Sequence, residues 1–423
     1  MQRQELIRRI KRAGRLLLSG RESRFYDDEL IGFDLKPLAP VAERAQTGRR
    51  LNILTTTLSE SAAFGGLATL IDLPLQVFAN SLAQAGWRLR FINLDTAPAA
   101  DDDISLKYAN RHGIAPDLVS AQHGGGAGAP VPVGPGDVFL GSLWHSLHAA
   151  LPLMRFQHDT FGGNRMPYVS LVQDYEAGFH PWSSAFMLAR ASYDVDWPRV
   201  LIFNSRELAD YYAAQGHVSE PAVAFKPVMN HALLEGLRAD GPPPKERRIL
   251  FYGRPEQRRN CFFLARRAFE IWAETYADAG KWQVISVGAE HDAFPLANGA
   301  TCTVLGKLTL EQYSDELHRA GVGMSLMASP HPSYPPLEMA HFGALTITNS
   351  FDSKNLTGWH DNFTSVDVPD PETLAAALTD CCKRFAADPE AGRRTKTNRP
   401  HYLAGHDDST LTDIGAMILK AVT

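Results

Sequence analysis

A chain of 423 residues is too long for one core and suits two domains of about 150–200 residues each. Its 44% hydrophobic and 21% charged residues are those of an ordinary globular protein, and a net charge of -5 excludes a general nucleic-acid binder with a dominant basic face. No apolar run reaches the ~18 residues that span a bilayer, and the N-terminus lacks a secretory apolar core, so a cytoplasmic protein is expected.

The charge is uneven at the start. Residues 1–24 hold Arg3, Arg8, Arg9, Lys11, Arg12, Arg15, Arg21 and Arg24 against Glu5 and Glu22, with Leu6, Ile10, Ala13 and Leu17 near helical spacing. A basic amphipathic helix of this kind suits the anionic inner face of a membrane, and equally suits docking on its own protein with a solvated basic edge. Residues 1–50 are therefore set apart as a helix and extension.

From Leu51 the pattern is that of an α/β domain, taken as residues 51–222. LNILTTT reads as a strand, SAAFGGLAT as a glycine-bearing loop with Gly65 and Gly66, and WRLRFINLD as a second strand. Residues 97–136, rich in Ala, Gly, Asp and Pro, read as loop. Asp101, Asp102 and Asp103 lie there, better solvated than metal-bound, and HGGGAG lacks the Gly-Lys-Ser/Thr ending of a phosphate loop. DVFLGS, PYVSLVQDY and VLIFNS are three more buried strands. The third ends at Asn204 and Ser205, where an N-cap role for Ser205 and ligand contact fit equally; the second ends in two carboxylates, Asp174 and Glu176.

LRADGPPPKERR is a proline-rich, charged connector. A second α/β domain, residues 223–400, follows, and residues 401–423 form a terminal helix that returns toward the first domain. In the second domain, RRILFYG, WQVISVG, VLGKL and the runs flanking SPHPSYPPLEMAHFG alternate with amphipathic stretches, as in a parallel sheet with crossover helices. Ligands of such sheets bind outside the carboxyl ends of the strands. Gly253 allows a sharp turn there, and Arg254 and Arg259 offer bidentate guanidinium contacts to a diphosphate. Lys307 follows another strand. Pro335 and Pro336 suit the first turn of a helix, with Ser333 and Tyr334 at its start, where backbone N–H groups and the helix dipole favour phosphate. Glu338, about one turn inside, is placed to accept hydrogen bonds from a ribose diol. Cys261, Cys302, Cys381 and Cys382 have no metal-ligand spacing and read as reduced thiols.

These segments resemble the nucleotide-sugar domain of GT-B glycosyltransferases, and within glycosyltransferase family 4 the WsaF-type rhamnosyltransferases. The Gly-Arg element falls on Gly253 and Arg254, and the basic position five residues on is Arg259, where that family more often has Lys. Of its paired glutamates, separated by seven intervening residues, the second is Glu338; the first is Pro330, with His331 beside it. The resemblance implies a GT-B architecture of two Rossmann-like domains facing across a cleft, with no cofactor and no metal. It implies a nucleoside diphosphate sugar as donor, dTDP-β-L-rhamnose first among them, and a glycan or lipid-linked glycan of bacterial surface polysaccharide as acceptor, with retention of configuration. Arg254, Lys307, Asp174 and Glu176 are then the catalytic candidates; Gly65, Gly66, Gly253, Arg259, Ser333, Tyr334 and Glu338 complete the binding set. A nicotinamide-dependent oxidoreductase would need Gly-x-Gly-x-x-Gly after the first strand, which LTTTLSESAAFGG does not supply. A non-catalytic glycan-binding assembly protein stays open.

Overall fold

The computed structural model describes residues 38–59, 65–94, 103–123, 130–217, 221–297, 299, 301–405 and 408–423. The basic segment 1–24, Asp101, Asp102 and the HGGGAG glycines lie outside them. By its internal contacts the chain forms two compact units. The first takes the chain to Leu75, Gly86–Tyr168 and His180–Pro198; the second takes Gln76–Ala85, Val169–Phe179 and Arg199–Thr423.

Fifteen strands are described. In the first unit, β2 (Arg50–Thr55), β3 (Arg88–Asn93), β4 (Val119–His123) and β6 (Asp137–Gly141) lie side by side in the order β4-β3-β2-β6. All three pairings are parallel. Helix α1 (Gly66–Val77) follows β2, α2 (Ile104–Arg111) follows β3 and α3 (Trp144–Phe161) follows β6. A separate two-stranded parallel pair joins β1 (Ala39–Ala42) to β5 (Pro130–Val133). Leu54, Ile92, Phe139, Leu147 and Met154 are among the residues of one buried cluster that closes this unit.

The stretch 97–136, read as loop, therefore contains α2, β4 and β5. Asp103 caps α2 by accepting from the Ser105 N–H at 2.8 Å, which accounts for one carboxylate of the acidic triplet. Strand β4 was hidden because it edges the sheet and carries Ser120 and Gln122 rather than an apolar run. Strand β5 was hidden by two prolines, which its two-stranded pairing tolerates.

In the second unit, β10 (Glu246–Gly253), β11 (Gln283–Gly288), β12 (Thr303–Gly306), β13 (Ala320–Met324), β14 (Leu345–Asn349) and β15 (Phe363–Val366) form a parallel sheet in the order β12-β11-β10-β13-β14-β15. Counted within the sheet this is 3-2-1-4-5-6, the Rossmann order, whose crevice opens between the first and fourth strands, here β10 and β13. The unit also holds β8 (Arg199–Phe203) paired parallel with β9 (Ala222–Ala224). Strand β7 (Tyr168–Val172) completes the fifteen.

Helices α4 (Ser184–Ala191) and α5 (Arg206–Ala214) precede α6 (His231–Arg238). Ser205 caps α5 by accepting from the Leu208 N–H at 3.1 Å. Helices α7 (Phe262–Thr275) and α10 (Pro371–Ala387) cover one face of the six-stranded sheet, burying Phe269, Trp272, Leu374 and Leu378 with Phe251 and Val322. Helices α8 (Leu310–Arg319) and α9 (Tyr334–His341) cover the other with Leu317, Leu337 and Met339. A capping box on Thr309 and Gln312 fixes the start of α8. The last helix, α11 (Asp408–Ala421), buries Leu411, Ile414 and Ile418 and packs on the Phe78–Leu82 turn, where the Thr412 hydroxyl donates to Asn80 at 3.3 Å. Among the described residues no helix is long and apolar enough to cross a membrane.

Candidate functional site

The carboxyl ends of the second sheet are in register. Gly253 pairs with Gly288, Val287 with Gly306, and Phe251 with Met324. Four turns therefore leave one edge: Arg254–Arg259 after β10, the Ala289 turn after β11, Lys307 after β12, and Ser325–Ser333 after β13. Lys307 is exposed and lies two strand spacings, about 10 Å of backbone, from Arg254.

Glycine is required at two of these ends. A Cβ on Gly253 would lie 2.1 Å from Ser286 Oγ. Gly288, at φ +115°, leaves the space across which Tyr252 and the Arg254 side chain lie; a Cβ there would be 3.0 Å from Arg254 Cγ. Arg254 is half-buried, and its Nη1 reaches the Tyr252 hydroxyl only at 3.4 Å.

Arg259 lies beside the end of β7. Its Nε is 3.6 Å from Asp174 Oδ2, and its guanidinium stacks 4.1 Å from the centre of the Phe179 ring. Asp174 is buried and saturated: its Oδ1 accepts from the Tyr175 N–H at 2.8 Å and from the Ser329 hydroxyl. Burial raises the pKa of this carboxyl, and Arg259 opposes the rise most, before Ser329, Tyr175 and Lys354. Glu176, two residues on, opens a short 3-10 turn and is also buried.

Lys354 is a buried cation beside this edge that sequence reasoning missed. Fully buried, its ammonium donates to the Met327 carbonyl at 2.6 Å. Burial lowers its pKa to about 8 against the pull of Asp174. A lysine five residues beyond a buried strand gives no sequence signal of its own; only the fold brings its charge to Asp174.

The Ser329–Ser333 loop is knit internally. The His331 N–H donates to Ser329 Oγ and the Ser333 N–H to His331 Nδ1, each at 3.0 Å. Ser333 sits at φ +70°, a conformation side chains seldom adopt and one that costs about 1–3 kcal/mol. This corrects the expectation for the start of α9. Tyr334 is already its first residue, the Ser333 N–H is spent on His331, and Pro335 and Pro336 have no N–H to give. The helix start is thus poorer in phosphate donors than its position suggested.

Glu338 is buried on the first full turn of α9, and burial raises its pKa to about 7. The Tyr313 hydroxyl stands beside it without closing a well-formed hydrogen bond. Tyr334 feels its charge too, and burial followed by that charge raises the tyrosine to about 12. Gly65, at φ +57°, and Gly66, the first residue of α1, belong to the first unit. Asn204 donates to the Gln173 carbonyl at 3.0 Å, which holds the turn that carries Asp174.

Three side-chain donors of this edge are buried and close no hydrogen bond: Arg254 Nε, His331 Nε2 and Arg259 Nε, the last facing Asp174 Oδ2 across 3.6 Å. An unsatisfied buried donor costs about 1–3 kcal/mol. Their common sign, all donors and two of them cationic, is what an anion-binding edge requires. Among the described residues no group of His, Cys, Asp or Glu is arranged to hold a metal ion, and all four cysteines are free thiols.

Residues 50–206 match the family described as WsaF, N-terminal domain, and residues 247–379 match WsaF, C-terminal domain. The chain matches both WsaF domains, in order. The second WsaF match spans the whole cation-bearing edge from Arg254 to Lys354. O-antigen biosynthesis protein RfbC of Myxococcus xanthus is 29% identical over 252 residues, covering 59% of this chain; the chain spans 18% of that relative's length. Among solved structures, HepE of Anabaena, in complex with UDP and glucose, superposes with a TM-score of 0.55 at 12% identity, covering 88% of this chain and 100% of that one. An α,α-trehalose-phosphate synthase (UDP-forming) of Burkholderia vietnamiensis gives 0.56 at 13% identity, covering 89% and 100%. The fold is GT-B.

Proposed function

We propose that this protein is a glycosyltransferase that moves a sugar from a nucleoside diphosphate donor to a glycan hydroxyl in surface polysaccharide synthesis. The observation that carries the reading is the set of buried, unsatisfied donors on Arg254 and Arg259 at the switch point of the Rossmann-ordered sheet. The match to both WsaF domains and the O-antigen relative support it.

In this reading Arg254 and Arg259 hold the diphosphate, and Lys307 adds charge from the end of β12, two strands away. As the bond between the anomeric carbon and the diphosphate breaks, its electrons leave with the diphosphate, and these cations stabilise the growing charge. Losing one such contact costs about 2.7–4 kcal/mol, or ~10²–10³ in rate. Configuration is retained: the acceptor oxygen attacks the face the diphosphate leaves, and its proton passes to the departing phosphate oxygen. Glu176 and Asp174 flank the sugar. Asp174, already accepting two hydrogen bonds, suits holding Arg259 and the Ser329 loop better than taking a proton.

L-Rhamnose carried by dTDP is the proposed donor, and a glycan or lipid-linked glycan the acceptor. A deoxyribose offers Glu338 only its 3′-hydroxyl, so the ribose-diol role applies in full only to a ribonucleotide. The test is transfer of radiolabel from a panel of nucleotide sugars to polysaccharide fragments. Transfer from dTDP-rhamnose alone supports the whole proposal; transfer from another donor replaces the sugar; no hydrolysis or transfer from any donor refutes an enzyme.

A further inference from the structure

We infer that His331 is a diphosphate ligand, its Nε2–H donating to a non-bridging phosphate oxygen between Arg259 and the start of α9. The inference rests on the nucleotide-sugar reading above and goes beyond it, because the residue stands where the resemblance offers no counterpart.

His331 Nδ1 accepts the Ser333 N–H at 3.0 Å, so that nitrogen carries a lone pair and the ring proton must sit on Nε2. Burial, then the charges of Lys354 and Arg259, lower the imidazole pKa to about 3. The ring is therefore neutral, with one donor. That donor is buried and has no acceptor in the protein, on a residue only 6% exposed.

The surroundings select the acceptor. Arg259 and Lys354 are the cations near the ring and outnumber the one carboxylate beside them, Asp174, so an anion is favoured over a neutral hydroxyl. A catalytic base is excluded, since Nδ1 is engaged and Nε2 is protonated. The backbone of the same loop is short of donors: Pro335 and Pro336 lack N–H groups, and the Ser333 N–H is consumed by His331 itself. By binding that N–H at one edge of its ring and presenting Nε2–H at the other, His331 moves a backbone donor outward by the width of an imidazole. The strained Ser333, φ +70°, is what allows that exchange.

His331→Asn tests this directly. The Asn Oδ1 can accept the N–H two residues on, as in an Asx turn, so the loop keeps its shape while the outer donor is lost. Calorimetric titrations with dTDP and dTMP are compared, since the monophosphate lacks the distal phosphate. The expected result is at least a tenfold loss of dTDP affinity in His331→Asn, with a smaller loss for dTMP. Wild-type affinity for dTDP in that variant, or equal losses for both nucleotides, overturns the inference and leaves the glycosyltransferase reading standing. A wild-type chain that binds neither dTDP nor UDP overturns both. On the unmodified chain, the ¹⁵N resonance of His331 Nε2 should shift more on addition of dTDP than of dTMP, a readout independent of whether the variant folds; an unmoved resonance under saturating dTDP overturns it.

Discussion

Arg259 Nε lies 3.6 Å from Asp174 Oδ2 while its guanidinium rests on Phe179, so this cation is held from below by a ring and from the side by a carboxylate. The carboxylate is itself fixed by Ser329 and the Tyr175 N–H. Placing Arg259 is thus the work of two distant stretches, 174–179 and 327–333.

That arrangement predicts opposite effects of Asp174→Asn on stability and on binding. The buried charges of Arg259 and Lys354 lose the carboxylate that offsets them, and the Ser329 hydroxyl and Tyr175 N–H lose a charged acceptor, so the variant is less stable. Arg259 is at the same time released toward an incoming anion. Thermal unfolding should show the loss, and calorimetry should show dTDP affinity unchanged or raised. A tenfold fall in affinity would instead place Asp174 against the ligand.

Glu338 makes stability depend on pH in a defined window. Its pKa of about 7 in the folded chain lies above the ordinary 4.5, so the folded state holds this proton more tightly than the unfolded one. The contribution is full below pH 4.5 and is lost as pH rises to about 7; the difference corresponds to roughly 3 kcal/mol. Glu338→Gln should flatten that dependence and be the more stable variant at pH 8 in urea unfolding. Parallel curves for the two proteins from pH 4.5 to 8 would contradict the burial argument.

Gly253→Ala should destabilise by about 1–3 kcal/mol, because the new Cβ meets Ser286 Oγ at 2.1 Å. Ser286→Ala in the same chain should recover part of the loss, giving a measurable coupling in a double-mutant cycle. Additive losses would mean that strain at Phe251 or His291, not at Ser286, sets the cost.

For the basic segment 1–24, co-sedimentation with anionic liposomes should fall when it is deleted. Equal binding with and without it removes the membrane role.

Much of the second domain was legible because its parallel strands are buried on both faces and read as short apolar runs: ILF in β10, VISV in β11 and LTIT in β14. Strand β15 was not, since FTSV at the sheet edge is only half-buried and carries two hydroxyls. At the candidate edge, the positions of Arg254, Arg259 and Lys307 just beyond strand ends were legible from the sequence pattern. What could not be read were relationships fixed by burial. Lys354 gains its meaning only from Asp174, and the Ser333 N–H, expected to face a phosphate, turns inward because His331 offers it a nearer acceptor.

The central claim is that Arg254 and Arg259 meet one diphosphate. Its most direct test is calorimetric titration of dTDP into the wild-type chain, Arg254→Ala, Arg259→Ala and the double variant. Each single change should weaken binding by about 1.5–3 kcal/mol, tenfold or more, with losses in the double variant that are not additive because both contacts serve one ligand. Unchanged affinity in Arg254→Ala would contradict the account.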